Sequence, residues 1–143
     1  MGNDPLRPDL PIYLAGLSPG MLRLAGEIAD GVVLWLCNPH YIRDVVVPTV
    51  GEGRRRAGKE LEGFDIVAAV PSAVTDDPHG RGFDPDEGAT DEFIRLLAAV
   101  GPPDEAIESV RRYRDCGATS PCVGGISGTG FATTLETLAK SLD

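Results

Sequence analysis

Polar and apolar positions change period along this chain, and the changes mark its elements. Pro11 to Ala15 is a short extended run. From Pro19 to Ala29, Met21, Leu22, Leu24, Ala25, Ile28 and Ala29 recur every three or four positions, which predicts a helix with one apolar face. Ser18 is placed to cap it and Pro19 fits its first turn. Asp30-Gly31 closes it. Val32 to Cys37 is continuously apolar, the pattern of a strand buried on both faces, so Cys37 reads as core, and Trp35 reads as core ahead of stacking on a ligand. Asn38-Pro39 opens a second helical segment reaching about Ala57, with Gly58 as its stop; Pro48 and Gly51 predict a kink or two shorter helices. Phe64 to Val74 is β-rich, with Pro71 demoting its far end. Asp91 to Val100 and Pro103 to Cys116 read as helices, the second capped by Gly117. Pro121 to Gly125 is a short strand, and Ala132 to Leu142 a final helix. Residues 1–10, with Pro5 and Pro8, read as an irregular lead-in, and Thr75 to Gly88 as a polar loop.

Strands of buried type alternating with helices point to a parallel α/β sheet, either open and doubly wound or part of a (β/α) barrel. Ligands of both architectures bind beyond the carboxyl ends of the strands. That rule places Gly16–Gly20, Asn38–Tyr41, Thr75–Gly82 and Gly124–Gly130 on one rim. The 143 residues suit a single domain.

Hydrophobic residues make up 42%, enough for a packed core, and the formal net charge is -9. An acidic surface repels nucleic-acid phosphates, so no nucleic-acid partner is expected. Arg54, Arg55 and Arg56 are the local exception and read as a solvated helix end. Cys37, Cys116 and Cys122 form no CxxC pair, and His40 and His79 do not stand at metal-ligand spacing with them. Reduced thiols, no metal and a cytoplasmic location are expected. No apolar stretch is long enough to span a bilayer, and MGNDPLRPDL carries no apolar signal core.

Candidate chemistry sits in two turns. Gly16 to Gly20 joins a strand to a helix, where exposed amides and the helix dipole favour an anion, although any such turn can hold Gly and Ser and by its residues alone it reads first as an ordinary connection. GGISGTG, residues 124–130, also lies between strand and helix and reads equally as a flexible connector. Neither carries the dinucleotide or P-loop pattern. His40 is the residue near the rim with useful acid–base chemistry, and its place after Asn38-Pro39 is that of a surface residue at a helix start. Asp30 reads as a turn residue, and Asp76-Asp77 as loop caps.

"PIYLAGLSPGMLRLAGEIADGVVLW" resembles a segment from the second half of the bacterial luciferase-like monooxygenase superfamily, in its branch dependent on the deazaflavin coenzyme F-420. "VVVPTVGEGRRRAGKELEGFDIVAAVPSAVTDDP" and "GPPDEAIESVRRYRDCGATSPCVGG" extend the resemblance, which covers about residues 10–78 and 101–142. It implies half of a TIM-type (β/α) barrel with about four parallel strands; a whole barrel takes about 250 residues. It also implies an oxidoreductase performing hydride transfer or monooxygenation. Ala15, Gly16, Leu17, Ser18, Gly20 and Met21 correspond to the family's coenzyme-phosphate loop, with F-420 as the cofactor and FMN as the alternative. Asp77 to Glu92 is shorter than the family pattern. The family's catalytic residues lie mostly on the other half, so none is assigned here. A small-molecule substrate and a homo-oligomer or complementing half-barrel are the expected partners. The alternative is a non-catalytic phosphate-ligand-binding or interaction module on the same fold.

Overall fold

A computed structural model describes Arg7 and residues 9–76, 91–125 and 130–140. Elements follow in the order β1 (Tyr13–Ala15), α1 (Pro19–Ile28), β2 (Gly31–Trp35), α2 (Pro39–Tyr41), a π-helical turn (Ile42–Val46), α3 (Val47–Arg56) and β3 (Asp65–Val74). Then come α4 (Asp91–Leu97), β4 (Ala99–Gly101), α5 (Pro103–Asp115), β5 (Ser120–Gly125) and α6 (Phe131–Ala139). Every strand pairing is parallel.

Ser72 of β3 pairs with both Ala99 of β4 and Gly125 of β5, so those strands flank β3 on opposite edges. β4 therefore stands on the β2 edge, beyond the end of β2. The backbone agrees: Asp65 N donates to Asp30 O and Thr75 N to Gly101 O, donors of one parity pointing to one side. What remains is an arc of four adjacent parallel strands, β1-β2-β3-β5, the number expected, with β4 as an addition.

Two sequence expectations are corrected here. Asp91–Val100 is not one helix: α4 stops at Leu97 and residues 99–101 form β4. Pro71 does not demote the end of β3, which runs through it. Its missing N–H faces the gap between the last β2 pairing at Ala69 and the first β4 pairing at Ser72. The predicted break near Pro48 is a π-turn, with Val47 N reaching back to Ile42 O, which relieves the clash a proline makes in a regular helix.

One face of the arc carries the core. Val32, Leu34, Ile66, Ala68 and Val70 are buried there against α1, α3 and α5. Cys37 is buried as expected, and burial pushes its thiol up to about 11. α1 and α3 touch backbone to backbone. A side chain at Gly26 would strike the Val50 carbonyl, and one at Gly53 the Arg23 carbonyl. Tyr113 of α5 is fully buried and donates its hydroxyl to Leu97 O at 2.9 Å. No helix among the described residues is long and apolar enough to cross a membrane.

Among the described residues, nothing packs over the other face of the arc. Trp35, expected in the core, is 66% exposed there. A continuously apolar strand has two apolar faces, and helices cover only one of these.

Candidate functional site

The carboxyl ends of β1, β2, β3 and β5 share one rim because all four strands run in parallel. On that rim stand the β1–α1 turn, the β2–α2 turn, Thr75-Asp76 and Gly124-Gly125. The remainder of the expected rim, residues 77–82 with His79 and residues 126–129, lies outside the described residues.

The β1–α1 turn brings together the residues singled out in the sequence. Ala15 ends β1 with its side chain on the open face, in register with Val33. Gly16 N donates to Val33 O at 3.2 Å, which anchors the turn to β2. A side chain at Gly16 would meet Met21 Cβ at 2.8 Å, so the strand can fold this tightly against its own helix only with glycine there. Ser18 has extended backbone and caps α1, its Oγ accepting from Met21 N at a long 3.5 Å. Pro19 has no N–H, and the Gly20 amide belongs to the first turn, where no intrahelical acceptor exists. Among the described residues, nothing beyond its chain neighbours and its own helix backbone lies within 4 Å of the place a Gly20 side chain would occupy. The turn thus offers an open approach, two weakly engaged amides and a hydroxyl at the positive end of a ten-residue helix. That donor set suits the oxygen of a phosphate monoester or diester. Leu17 and Met21, both partly exposed, supply apolar flanks.

The neighbouring turn is tied to the first. Tyr41 donates its hydroxyl to Leu17 O at 2.9 Å, and its amide is capped by Asn38 Oδ1 at 2.8 Å. Leu36, the residue after β2, lies in the left-handed region at φ 49°, which turns the chain out over the rim. His40 is exposed in the first turn of α2, where the sequence reading put it. Sequence reasoning ranked core packing of Trp35 above stacking on a ligand; Trp35 instead closes β2 on the open face, where an aromatic ring can lie against a planar ligand. Its signal was alternation from Val33, which the continuous apolar run concealed.

At the opposite end of the strands, Asp65 accepts from Tyr13 at 3.1 Å, from Ser120 at 2.8 Å, and from Thr119. Burial opposes its charge, but the three donors outweigh it and hold the carboxyl below the usual range. Tyr13 reaches Asp65 across Gly31, whose missing side chain leaves room for the ring. This network ties three strands together at the end of the sheet far from the rim, where barrels keep stability and not chemistry.

Two other charged features stand outside these turns. An open depression of about 410 Å³ is lined by Arg95, Val100, Asp104, Glu105, Glu108, Ser109 and Arg112. Within it Arg95 pairs with Glu105 at 2.6 Å, and Arg112 donates to the Arg95 carbonyl at 2.9 Å. Arg54, Arg55 and Arg56 end α3, where cations suit the dipole; Arg54 donates to Glu60 O and lies over Phe64, and Arg56 pairs with Glu52. No group of three or more His, Cys, Asp or Glu among the described residues is arranged to hold a metal ion.

Comparison with known proteins follows the same segment. Residues 3–80 match the family model described as luciferase-like monooxygenase. The 5,10-methylenetetrahydromethanopterin reductase of Methanopyrus kandleri is 34% identical over 70% of this chain and 27% of its own. The F-420-dependent glucose-6-phosphate dehydrogenase of Gordonia bronchialis is 25% identical over 76% of this chain and 40% of its own. Among solved structures, an F-420-dependent secondary alcohol dehydrogenase in complex with an F-420–acetone adduct superposes with a TM-score of 0.81 at 18% identity. It covers 94% of this chain and 49% of that one. The F-420-dependent tetrahydromethanopterin reductase of Methanopyrus kandleri gives 0.75 at 22% identity, covering 93% and 50%. The chain thus spans about a quarter to a half of the length of the relatives it matches.

Proposed function

The chain belongs to the luciferase-like monooxygenase family, and from that premise we propose that its β1–α1 turn holds the phosphate of coenzyme F-420, with FMN as the alternative. The coenzyme supplies hydride transfer or oxygen chemistry when bound. The chain's own residues bind and orient it. Ser18 and the amides of Gly20 and Met21 receive the phosphate, Gly16 keeps the turn close to the sheet, and Ala15 and Trp35 give the ring system an apolar floor. The substrate is a small molecule meeting the coenzyme over the open face. Strands beyond the four of the arc are needed to wall that face, so the chain is catalytically incomplete until another half-barrel covers it.

One observation carries this reading. A capped, glycine-opened helix start lies within the segment that matches the family, among relatives whose names specify F-420 dependence. The test is thermal unfolding with F-420 and, separately, with FMN. At a hundredfold excess over Kd, a ligand of the folded state adds about 2.7 kcal/mol. For a chain of this size that is a rise on the order of 10 °C. A rise with F-420 supports the reading, and a rise with FMN alone moves it to the flavin. A cooperative transition that neither ligand moves discards coenzyme binding by this chain.

A further inference from the structure

We propose that two copies of this chain close on each other into an eight-stranded barrel, β5 of each pairing in parallel with β1 of the other. The proposal does not depend on coenzyme binding.

The first ground is the pair of strand edges. β1 pairs only with β2, and β5 only with β3, among the described residues. They stand at opposite ends of a parallel arc, each with one row of backbone groups unpaired. Such edges are templates for another strand. A half-turn about an axis along the strands brings β5 of one copy beside β1 of the second. All polarities stay parallel, and both gaps close with a single kind of seam. Four strands taken twice make eight, the number at which inward side chains fill a barrel. The solved neighbours leave about half of their own length unmatched, room for one more unit of this size.

The second ground is the open face. Register places Tyr13, Ala15, Val33, Trp35, Val67, Ala69, Pro71, Cys122 and Gly124 on it. Asp65 is its one carboxylate among the described strands, and Tyr13, Thr119 and Ser120 already serve it. The charge of -9 therefore does not concentrate where the copies meet. β5 offers only Ser120, Cys122 and Gly124 to this face, small residues that leave space beside the second copy's Tyr13.

The third ground lies on the helices. α1 exposes Met21, Leu24 and Ile28, an apolar stripe beside the β1 edge, continued by Leu10 and Ile12; Ile28 is 64% exposed. α6, which packs on α5, β3 and β5, exposes Phe131 and Leu135 one turn apart. In the closed pair each α6 stripe meets the second copy's α1 stripe, as successive helices do around a barrel.

Trp35 is the chain's single tryptophan and lies on the face that closure hides, so it reports directly. The experiment is sedimentation velocity over a hundredfold range of concentration, with acrylamide quenching of Trp35 on the same samples and no coenzyme present. Closure predicts a species of twice 15.1 kDa, with quenching several-fold weaker in the dimer. Ile28→Glu and Phe131→Glu, on opposite edges, should each raise the dissociation midpoint at least tenfold while far-UV circular dichroism stays unchanged. Both positions are exposed, so either variant suffices if the other misfolds. A monomer with freely quenched Trp35 at every concentration overturns the proposal. So does a dimer in which Trp35 stays freely quenched, or one that both variants leave intact. A monomer that pairs one to one with a separately produced first half of a relative's barrel also overturns it, and assigns the face to that partner. None of these outcomes touches the coenzyme reading, which thermal shift tests alone.

Discussion

Glycines at single positions show how finely the helix layer is specified. Gly51 and Gly53 lie two residues apart in α3, yet a methyl group has opposite consequences at each. At Gly53 it would strike the Arg23 carbonyl, part of a backbone that cannot step aside. At Gly51 it meets only the end of the Arg55 side chain, at an ordinary 3.5 Å. Overpacking costs about 1–3 kcal/mol, whereas alanine for glycine inside a helix gains about 0.5–1 kcal/mol. Urea unfolding should therefore find Gly53→Ala less stable by about 1–2 kcal/mol and Gly51→Ala more stable by about 0.5–1 kcal/mol. Equal signs would contradict the close crossing of α1 and α3. Asp65 gives a second prediction at this scale. Its carboxyl titrates below the ordinary range because Thr119, Ser120 and Tyr13 outweigh the cost of burial. The stability it contributes is thus present above the unfolded value near 3.9 and is lost as pH falls through the lower folded value. Tyr13 works from the other side. Its bond to Asp65 raises its phenol above the usual range, so its contribution holds below about pH 10 and fades as pH rises through the folded value. The melting temperature of Asp65→Asn should therefore fall less steeply below pH 4 than that of the parent, and an unchanged acid limb would contradict the network.

Elements built on local signals were legible, and elements built on distant partners were not. Ser18-Pro19 and Asn38-Pro39 announce α1 and α2, and both caps are in place. Gly117, at φ 103°, ends α5 as read. β4 could not be read, because three residues after a helix carry no period; they become a strand only because β3 overruns β2 and leaves an edge to fill. Trp35 misled for a related reason: the sequence shows that both faces of β2 are apolar, not which of them this chain covers. AGEIADG, the most recognisable string, turns out to be packing. Gly26 admits α3, Asp30 Oδ2 holds Ile12 N at 2.8 Å, and Gly31 admits the Tyr13 ring. The proposed chemistry lies just before it, in the β1–α1 turn, where a substitution can separate binding from folding. Gly20→Asp sets a carboxylate in open space at the start of α1. Helix propensity and the dipole together favour it by about 0.5–1 kcal/mol. A bound phosphate would be repelled. The apo melting temperature should hold or rise by a few degrees while the shift induced by F-420 is lost. A variant that still responds fully to the coenzyme would move the site away from this turn.

Across the whole molecule, one sheet face is finished and the other is not. The buried face joins β1, β2, β3 and β5 to their helices in one core, so the arc can fold without the open face being covered. Covering that face is then a matter of association, and the three cysteines distinguish the two conditions. Cys37 is buried with its thiol pushed up to about 11, and Cys116 is buried just after α5, out of reach of a reagent while the chain stays folded. Cys122 is exposed, and its register with Ala69 places it on the open face. In the separate chain, a thiol reagent at pH 8 should find one fast cysteine and two that wait for unfolding. In the closed pair, Cys122 lies inside the barrel and all three should be slow. The fast phase should therefore shrink as protein concentration rises, in step with the sedimentation transition, and Phe131→Glu should restore it at high concentration. Cys122→Ser should remove the fast phase at every concentration, which ties the signal to that face. A fast phase of constant amplitude would mean that the copies, if they associate, do so through another surface.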